Sequence, residues 1–396
     1  MIYDATKTKS NSNLLSARRK LFLQFSARLS PRHPSFVWPC SDILILIQDD
    51  LINDLKLGEA YETGISKGDD SYLHSFLKEL LARLEKYLET SPNEEELEIN
   101  GDLLATYAML KATSNVNQPG SRLVTHYLPC SRSSKGSLST TDLFPKWNVI
   151  RMEEEATTIS RGTTGLKTWE ASLRLAGHLV ANPHLLECSS QEMTKKKTIL
   201  ELGCGVGLLG VVARYRSPPQ NHIIMTDLDG EVLEKAQKTA EVHWCNNEGL
   251  DVHSLDWLEV QEQQQDICHW LDNEVKPDIV LAADIVFDPS LIAPLCSVLD
   301  RILRKNEEGM DTRLPFALIA STIRNPSTFQ LFRETLASYD LHTVDVDLTF
   351  PMIDLNTLEL AKADSHPESD CISLFPSTHD ANTDGQVSLL RITSNR

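Results

Sequence analysis

The chain has 396 residues, 41% of them hydrophobic and 24% charged, and a formal net charge of −18. That size fits two domains, or one large soluble domain with an appendage. The acidity excludes a general nucleic-acid binder, which needs a basic surface, and no stretch reaches the roughly 20 apolar residues a bilayer requires. Direct nucleic-acid and membrane partners are therefore not expected. Eight cysteines occur without a Cys-x-x-Cys pair or a neighbouring histidine at zinc spacing, so no disulfide framework and no metal site is expected. Reduced thiols in the cytoplasm are the simplest account.

The first 120 residues read as helices. Leu14, Leu15, Leu21, Phe22, Phe25 and Leu29 share one helical face, beside the basic residues Lys7, Lys9, Arg18, Arg19, Lys20 and Arg28. The basic residues resemble those of a presequence, but the apolar spacing favours a folded amphipathic helix. Ile43, Ile47, Leu51 and Leu55 repeat every four residues, and Leu73, Phe76, Leu77, Leu80, Leu81, Leu84 and Leu88 form a longer stripe over 71–88. Ser91-Pro-Asn-Glu94 supplies a capping box, and Asp102 is expected to cap a short helix over 103–111. Residues 112–140 are rich in Ser, Asn, Pro and Gly, as a loop would be. The organisation expected is a helical N-terminal domain over 1–120, a linker over 121–146 and a second domain over 147–396.

From Trp147 onward, strands alternate with helices. Residues 149–152 and 156–159 are expected to pair, and 168–180 to form a helix. Strands follow at 198–202, 222–226, 278–283 and 316–321, separated by helices near 230–244, 290–304 and 328–339. This alternation builds a mostly parallel α/β sheet covered on both faces. The final strands, 342–349 and 387–393, have no helix between them and are expected to close as an antiparallel hairpin at the sheet edge. The polar segment 351–385 between them reads as a surface insertion.

Ligands of open α/β sheets bind at the carboxyl ends of the strands, and five motifs map there. Thr198-Ile-Leu-Glu-Leu-Gly-Cys-Gly-Val-Gly-Leu-Leu-Gly210 is a strand, a glycine turn and a helix start. Gly203, Gly205 and Gly207 are spaced Gly-x-Gly-x-Gly, and Leu208 stands where a dinucleotide site needs glycine. A smaller zwitterionic adenosine cofactor fits better, which points to S-adenosylmethionine. Asp227 ends the next strand, where a carboxylate can accept two ribose hydroxyls; Asp229 reads as the cap of the following helix. Asp256 and Trp257 can receive an adenine amino group and cover the ring. Ala283-Asp-Ile-Val-Phe-Asp-Pro289 places Asp284 and Phe287 where they can flank one reacting group, although a helix-capping Asp284 or Asp288 with a core Phe287 fits about as well. Gly162-Thr-Thr-Gly-Leu-Lys-Thr-Trp169 precedes a helix, with Trp169 on its first turn.

Together these motifs resemble the seven-β-strand, Rossmann-like S-adenosylmethionine-dependent methyltransferases, and within them the protein-lysine methyltransferases. Gly-Thr-Thr-Gly with a helical N-terminal half resembles the elongation factor 2 lysine methyltransferase branch. The resemblance implies that Gly203, Gly205 and Gly207 cradle the cofactor, Glu201 lies beside its amino-acid part and Asp227 holds the ribose. It likewise implies that Asp256 and Trp257 hold the adenine, that Trp169 closes the methionine end and that Ala283 completes the cofactor site. Asp284 and Phe287 match the Asp-x-x-Tyr/Phe signature bordering the lysine channel; Phe287 lacks the hydroxyl that tyrosine would bring. The function implied is methyl transfer to a lysine of translation elongation factor 2, with the N-terminal domain recognising that protein. Alternatives are another protein lysine, a small-molecule acceptor or a non-catalytic cofactor-binding scaffold.

Overall fold

The structure is a computed structural model. It describes residues 2–55, 67–90, 97–113, 120–130, 141–157, 163–187, 196–244, 249–304, 314–361 and 370–395, with side chains from residue 11 onward except at 67, 68 and 113. Packing divides the chain into two compact units. One joins Met1–Cys130, Ser137–Thr157 and Pro351–Thr378; the other joins Ser131–Gly136, Thr158–Phe350 and His379–Arg396.

The first unit is built around α1 (Ile2–Ser26), followed by α2 (Ser41–Asp54), α3 (Lys67–Thr90) and α4 (Gly101–Thr113). Between residues 16 and 26 only Arg18 and Lys20 reach partial exposure. So this C-terminal stretch of α1 is wrapped on nearly all sides, whereas the expected amphipathic helix would bury one face. Its described arginines, and Arg28 just beyond it, face partners within the unit. Arg18 forks onto both oxygens of Asp54 at 2.7 and 2.8 Å, and Arg28 donates to Asp69 at 2.7 Å. Leu73, Phe76, Leu77, Leu80, Leu81 and Leu84 of α3 are buried as the stripe requires, and Phe25 and Phe76 meet edge-on with centroids 4.9 Å apart. The cap of α4 is Asn100, whose Oδ1 accepts from the amide of Asp102 at 2.7 Å. Asp102, expected as the cap, lies inside the first turn. The capping box at 91–94 lies outside the described residues.

Part of the expected linker is a strand. β1 (Ser121–Leu128) pairs antiparallel with β2 (Asn148–Glu155), Val124 lying opposite Met152. β2 runs unbroken to Glu155, so 149–152 pairs upstream with β1 rather than with 156–159. The acidic run Glu153-Glu154-Glu155 hid its length: Glu154 and Glu155 are buried, answered by Arg122 at 3.5 Å and Ser121 at 2.8 Å.

The second unit runs through α5 (Glu170–Ala181), β3 (Thr198–Leu202), α6 (Leu208–Arg216), β4 (His222–Asp227), α7 (Gly230–His243), β5 (Leu250–Ser254), α8 (Trp257–Gln261) and α9 (Gln265–His269). It continues through β6 (Ile279–Ala283), α10 (Pro289–Leu303), β7 (Phe316–Thr322), α11 (Pro326–Ser338) and β8 (Leu341–Val346). The chain then supplies the first unit with a small antiparallel pair, β9 (Met352–Asp354) and β10 (Cys371–Ser373), and returns as β11 (Val387–Ser394). The sheet order is β5-β4-β3-β6-β7-β11-β8. β11 is antiparallel to both β7 and β8. The last strand therefore inserts one place inside the edge, and β8 forms the edge itself.

Strand alternation sorts the side chains of this sheet. Leu200, Leu202, Val280 and Ala282 point into a core with Leu295, Leu299, Phe332 and Leu336 from α10 and α11. Ile199 and Glu201 alternate with them and face the opposite side. The order reverses between β3 and β6, both of which run parallel to their neighbours. Such a switch point opens a crevice at the strand ends.

Candidate active site

A cavity of ≈ 200 Å³ occupies that crevice, and its lining comes wholly from the second unit. Trp169, Glu201, Gly203, Gly205, Asp227, Asp256, Trp257, Ala283, Asp284 and Phe287 all line it. Gly207 does not. It holds φ +93 as the N-cap of α6 and packs toward Met225, so its part is to start the helix.

Gly203 has φ +65, and a Cβ there would lie 2.6 Å from Ile285 Cγ2. Gly205 has φ +54, and its Cβ would come within 3.1 Å of Gly165 O. The two glycines thus let the turn press against the loop before α5 and against the end of β6, in a backbone region that L-residues avoid. On that loop Thr163 Oγ1 accepts from the Gly165 amide at 3.2 Å. Trp169 Nε1 donates to Thr164 O at 2.9 Å, which fixes the indole at the start of α5. Gly162 lies outside the described residues.

Two carboxyls carry the electrostatics of the cavity floor. Asp227 accepts from the amides of Gly205 at 3.1 Å and Leu228 at 2.8 Å, but burial still raises it above its ordinary range. The helix cap beside it is Asp229, which accepts from the amides of Glu231 and Val232. Glu201 is 2% exposed and its Oε2 has no partner. Burial pushes it well above the carboxylate range, opposed by the backbone amide of Gly210. Burial likewise raises the Cys204 thiol, helped by the charges of Glu201 and Asp227. Asp256 caps α8 through Leu258 N at 2.8 Å with Trp257 half-buried beside it.

Asp284 is a non-glycine residue at φ +55, a conformation costing roughly 1–3 kcal/mol. Its carboxylate answers that strain. Oδ1 accepts from Thr322 N at 2.8 Å and Arg324 Nη1 at 3.4 Å, and Oδ2 from Ala171 N and Thr322 Oγ1, both at 3.0 Å. Four donors fill the lone-pair sites of a carboxylate. Asp284 therefore ties the end of β6 to α5 and β7. Asp288 caps α10 through Ser290, and Phe287, 55% exposed, stands at the cavity with its ring outside the core. Thr322 and Arg324 belong to no motif of the sequence. The available signal was Ile323-Arg-Asn-Pro326 at a strand end, where Asn325 caps α11. Among the described residues no cluster of His, Cys, Asp and Glu could hold a metal ion, and no helix is long and apolar enough to cross a membrane.

Comparison with known proteins fits this geometry. Residues 148–333 match a family described as lysine methyltransferase. The protein-lysine N-methyltransferase EEF2KMT of Homo sapiens is 33% identical over 198 residues, 49% of this chain and 56% of that protein. EEF2KMT of Bos taurus is 30% identical over 285 residues, 67% of this chain and 70% of that protein. The protein-lysine N-methyltransferase EFM3 of Chaetomium thermophilum is 32% identical over 267 residues, 65% and 69% of the two chains. The match thus spans little more than half of the human relative and over two thirds of the other two. Identity of that depth and extent settles the family: the chain belongs to the lysine methyltransferases, a family whose cofactor is S-adenosylmethionine.

Proposed function

We propose that this protein transfers a methyl group from S-adenosylmethionine to the side-chain amine of a lysine on a protein, and that the protein is translation elongation factor 2. The observation that carries the reading is the switch-point cavity, where the family's motif residues converge. The cofactor fits what is there. Glu201 presents a buried carboxyl with an unpartnered oxygen, a ready partner for an ammonium group. Asp227 lies one strand away for a ribose, and Gly203 and Gly205 leave the wall free of side chains. Asp256 and Trp257 border the adenine end, and Trp169 and Ala283 the methionine end. When bound, the sulfonium supplies an electrophilic methyl: the amine's lone pair forms the N–C bond as the C–S electrons return to sulfur.

The residues of the chain align, exclude water and favour the neutral amine. Alignment of an in-line transfer can lower the barrier by roughly 7–11 kcal/mol. Phe287 offers an aromatic wall against which the acceptor amine is aligned, without a hydroxyl to hold its proton. Asp284 fixes the wall's shape, and the amine gives its proton to solvent before attack. Elongation factor 2 comes from the resemblance to that branch, and the relatives' names are in keeping with it. The first unit, which contributes no residue to the cavity lining, serves to grip the folded acceptor, and a cytoplasmic location suits both partners.

The test is transfer of labelled methyl to purified elongation factor 2, read by peptide mass spectrometry, with Phe287→Ala as control. Label on one lysine is expected. Loss of the exposed ring should cut the rate about tenfold with cofactor affinity unchanged by calorimetry. Cofactor binding without label on that protein would send the search to other acceptors.

A further inference from the structure

Arg324 follows β7, and its guanidinium lies 4.7 Å from the centroid of the Trp169 ring. The same group donates to Asp284 at 3.4 Å; the Asp284 side chain is 3% exposed and that of Arg324 43%. Trp169 is held from the other side by Thr164, and Asp284 binds the amide of Ala171, two residues along from Trp169. Arg324 thus braces two residues of one cavity wall while its own outer edge stays in water.

That wall also sets a local charge. A lysine attacks only as the neutral amine, yet an unperturbed one keeps its proton to about pH 10.4. A buried carboxylate nearby favours the ammonium form, so Asp284 alone would oppose transfer. A guanidinium on that carboxylate cancels much of its field, and it disfavours a second cation beside it. Resting on the lysine-transfer reading, we propose that Arg324 is a positioning residue that pins Trp169 and neutralises Asp284, so that the acceptor amine enters the channel unprotonated. Lys167, Glu201, Cys204, Asp227 and Asp256 also face the cavity, with Asp288 beyond Phe287 at the start of α10. Glu170, beside Trp169, is paired with Arg174. Asp284, which shares its strand end with Phe287, is the carboxylate that Arg324 answers.

The experiment compares the full-length protein with Arg324→Gln and Arg324→Lys. Lysine keeps the charge and gives up the planar stack on Trp169; glutamine gives up the charge. Single-turnover transfer to elongation factor 2 at saturating cofactor is measured across pH, which reports ionisation in the bound complex. In parallel, n-butylamine is titrated by carbon NMR in the presence of the S-adenosylhomocysteine-loaded protein, which reports the amine's protonation without turnover. Arg324→Gln should move the acidic limb about one unit to higher pH, the low end for a neighbouring charge because the guanidinium is partly solvated. Bound butylamine should shift the same way. Arg324→Lys should leave the limb in place while slowing turnover. An unmoved limb together with an unmoved butylamine titration in Arg324→Gln would overturn the proposal, leaving Arg324 a packing residue. If the unmodified protein labels no lysine of elongation factor 2, the acceptor assignment fails, and the butylamine titration alone decides Arg324.

Discussion

Glu201 is a buried cavity carboxyl whose pKa burial raises. Its folded value lies above its unfolded one through burial, so its contribution to stability is fully present below about pH 4.3, the ordinary glutamate value. That contribution is lost as pH rises through the raised folded value. Asp227 is raised in the same direction. An ammonium group docked on Glu201 reverses the preference, so cofactor binding should release a proton and tighten as pH rises. Glu201→Gln should flatten the pH dependence of thermal melts above the ordinary glutamate range, weaken cofactor affinity and abolish the proton release seen by calorimetry in buffers of different ionisation heat. Identical pH profiles for the two proteins would remove Glu201 from this role. The carboxylates of the site were legible as residues but not as states. Asp227, Asp229 and Asp288 all read as strand-end or capping acids. That Asp284 is saturated by four donors depends on Thr322 and Arg324, nearly 40 positions away.

At the scale of elements, glycine and proline punctuation made most of the second unit readable. β3, β4, β6 and β7 fall close to their expected bounds because buried parallel strands are continuous apolar runs between turn signals. β1 escaped notice because its apolar residues alternate weakly within a polar stretch, and only pairing with β2 makes it a strand. The same holds for residues 16–26 of α1, whose burial on nearly all sides comes from what packs around them. Arg19 shows this best. It is 8% exposed and donates to the carbonyls of Leu143 at 3.0 Å and Leu355 at 2.6 Å, joining α1 to segments more than 120 and 330 residues away. Burial, with the neighbouring Arg18, lowers its pKa. Arg19→Ala would leave two buried carbonyls without donors and should cost about 3 kcal/mol. Hydrogen exchange should show faster exchange along α1 with β3 and β6 unchanged; uniform exchange across both units would argue against a local joint.

At the scale of the whole molecule, the unexpected feature is that residues 351–378, between β8 and β11, belong to the first unit. Ile353 and Leu355 are fully buried there and Phe375 nearly so, with His126 edge-on to Phe375 at 5.4 Å. Leu355→Ala should therefore destabilise the first unit by about 2–5 kcal/mol. Because the cavity lining lies in the other unit, cofactor affinity should stay within about twofold. Transfer to a protein acceptor should fall if the first unit grips it. Calorimetry beside the transfer assay separates these effects, and a large loss of cofactor affinity would contradict the division. By itself the sequence determined the alternating α/β sheet, the glycine turn and the acids and aromatics at the strand ends, since these are local patterns of spacing and burial. Tertiary structure alone decided that 351–378 completes the first unit, that β11 lies inside β8 and that Arg324 joins Asp284 and Trp169. Each of these is a contact between residues far apart in the chain, and such contacts leave no periodic trace in the sequence around either partner.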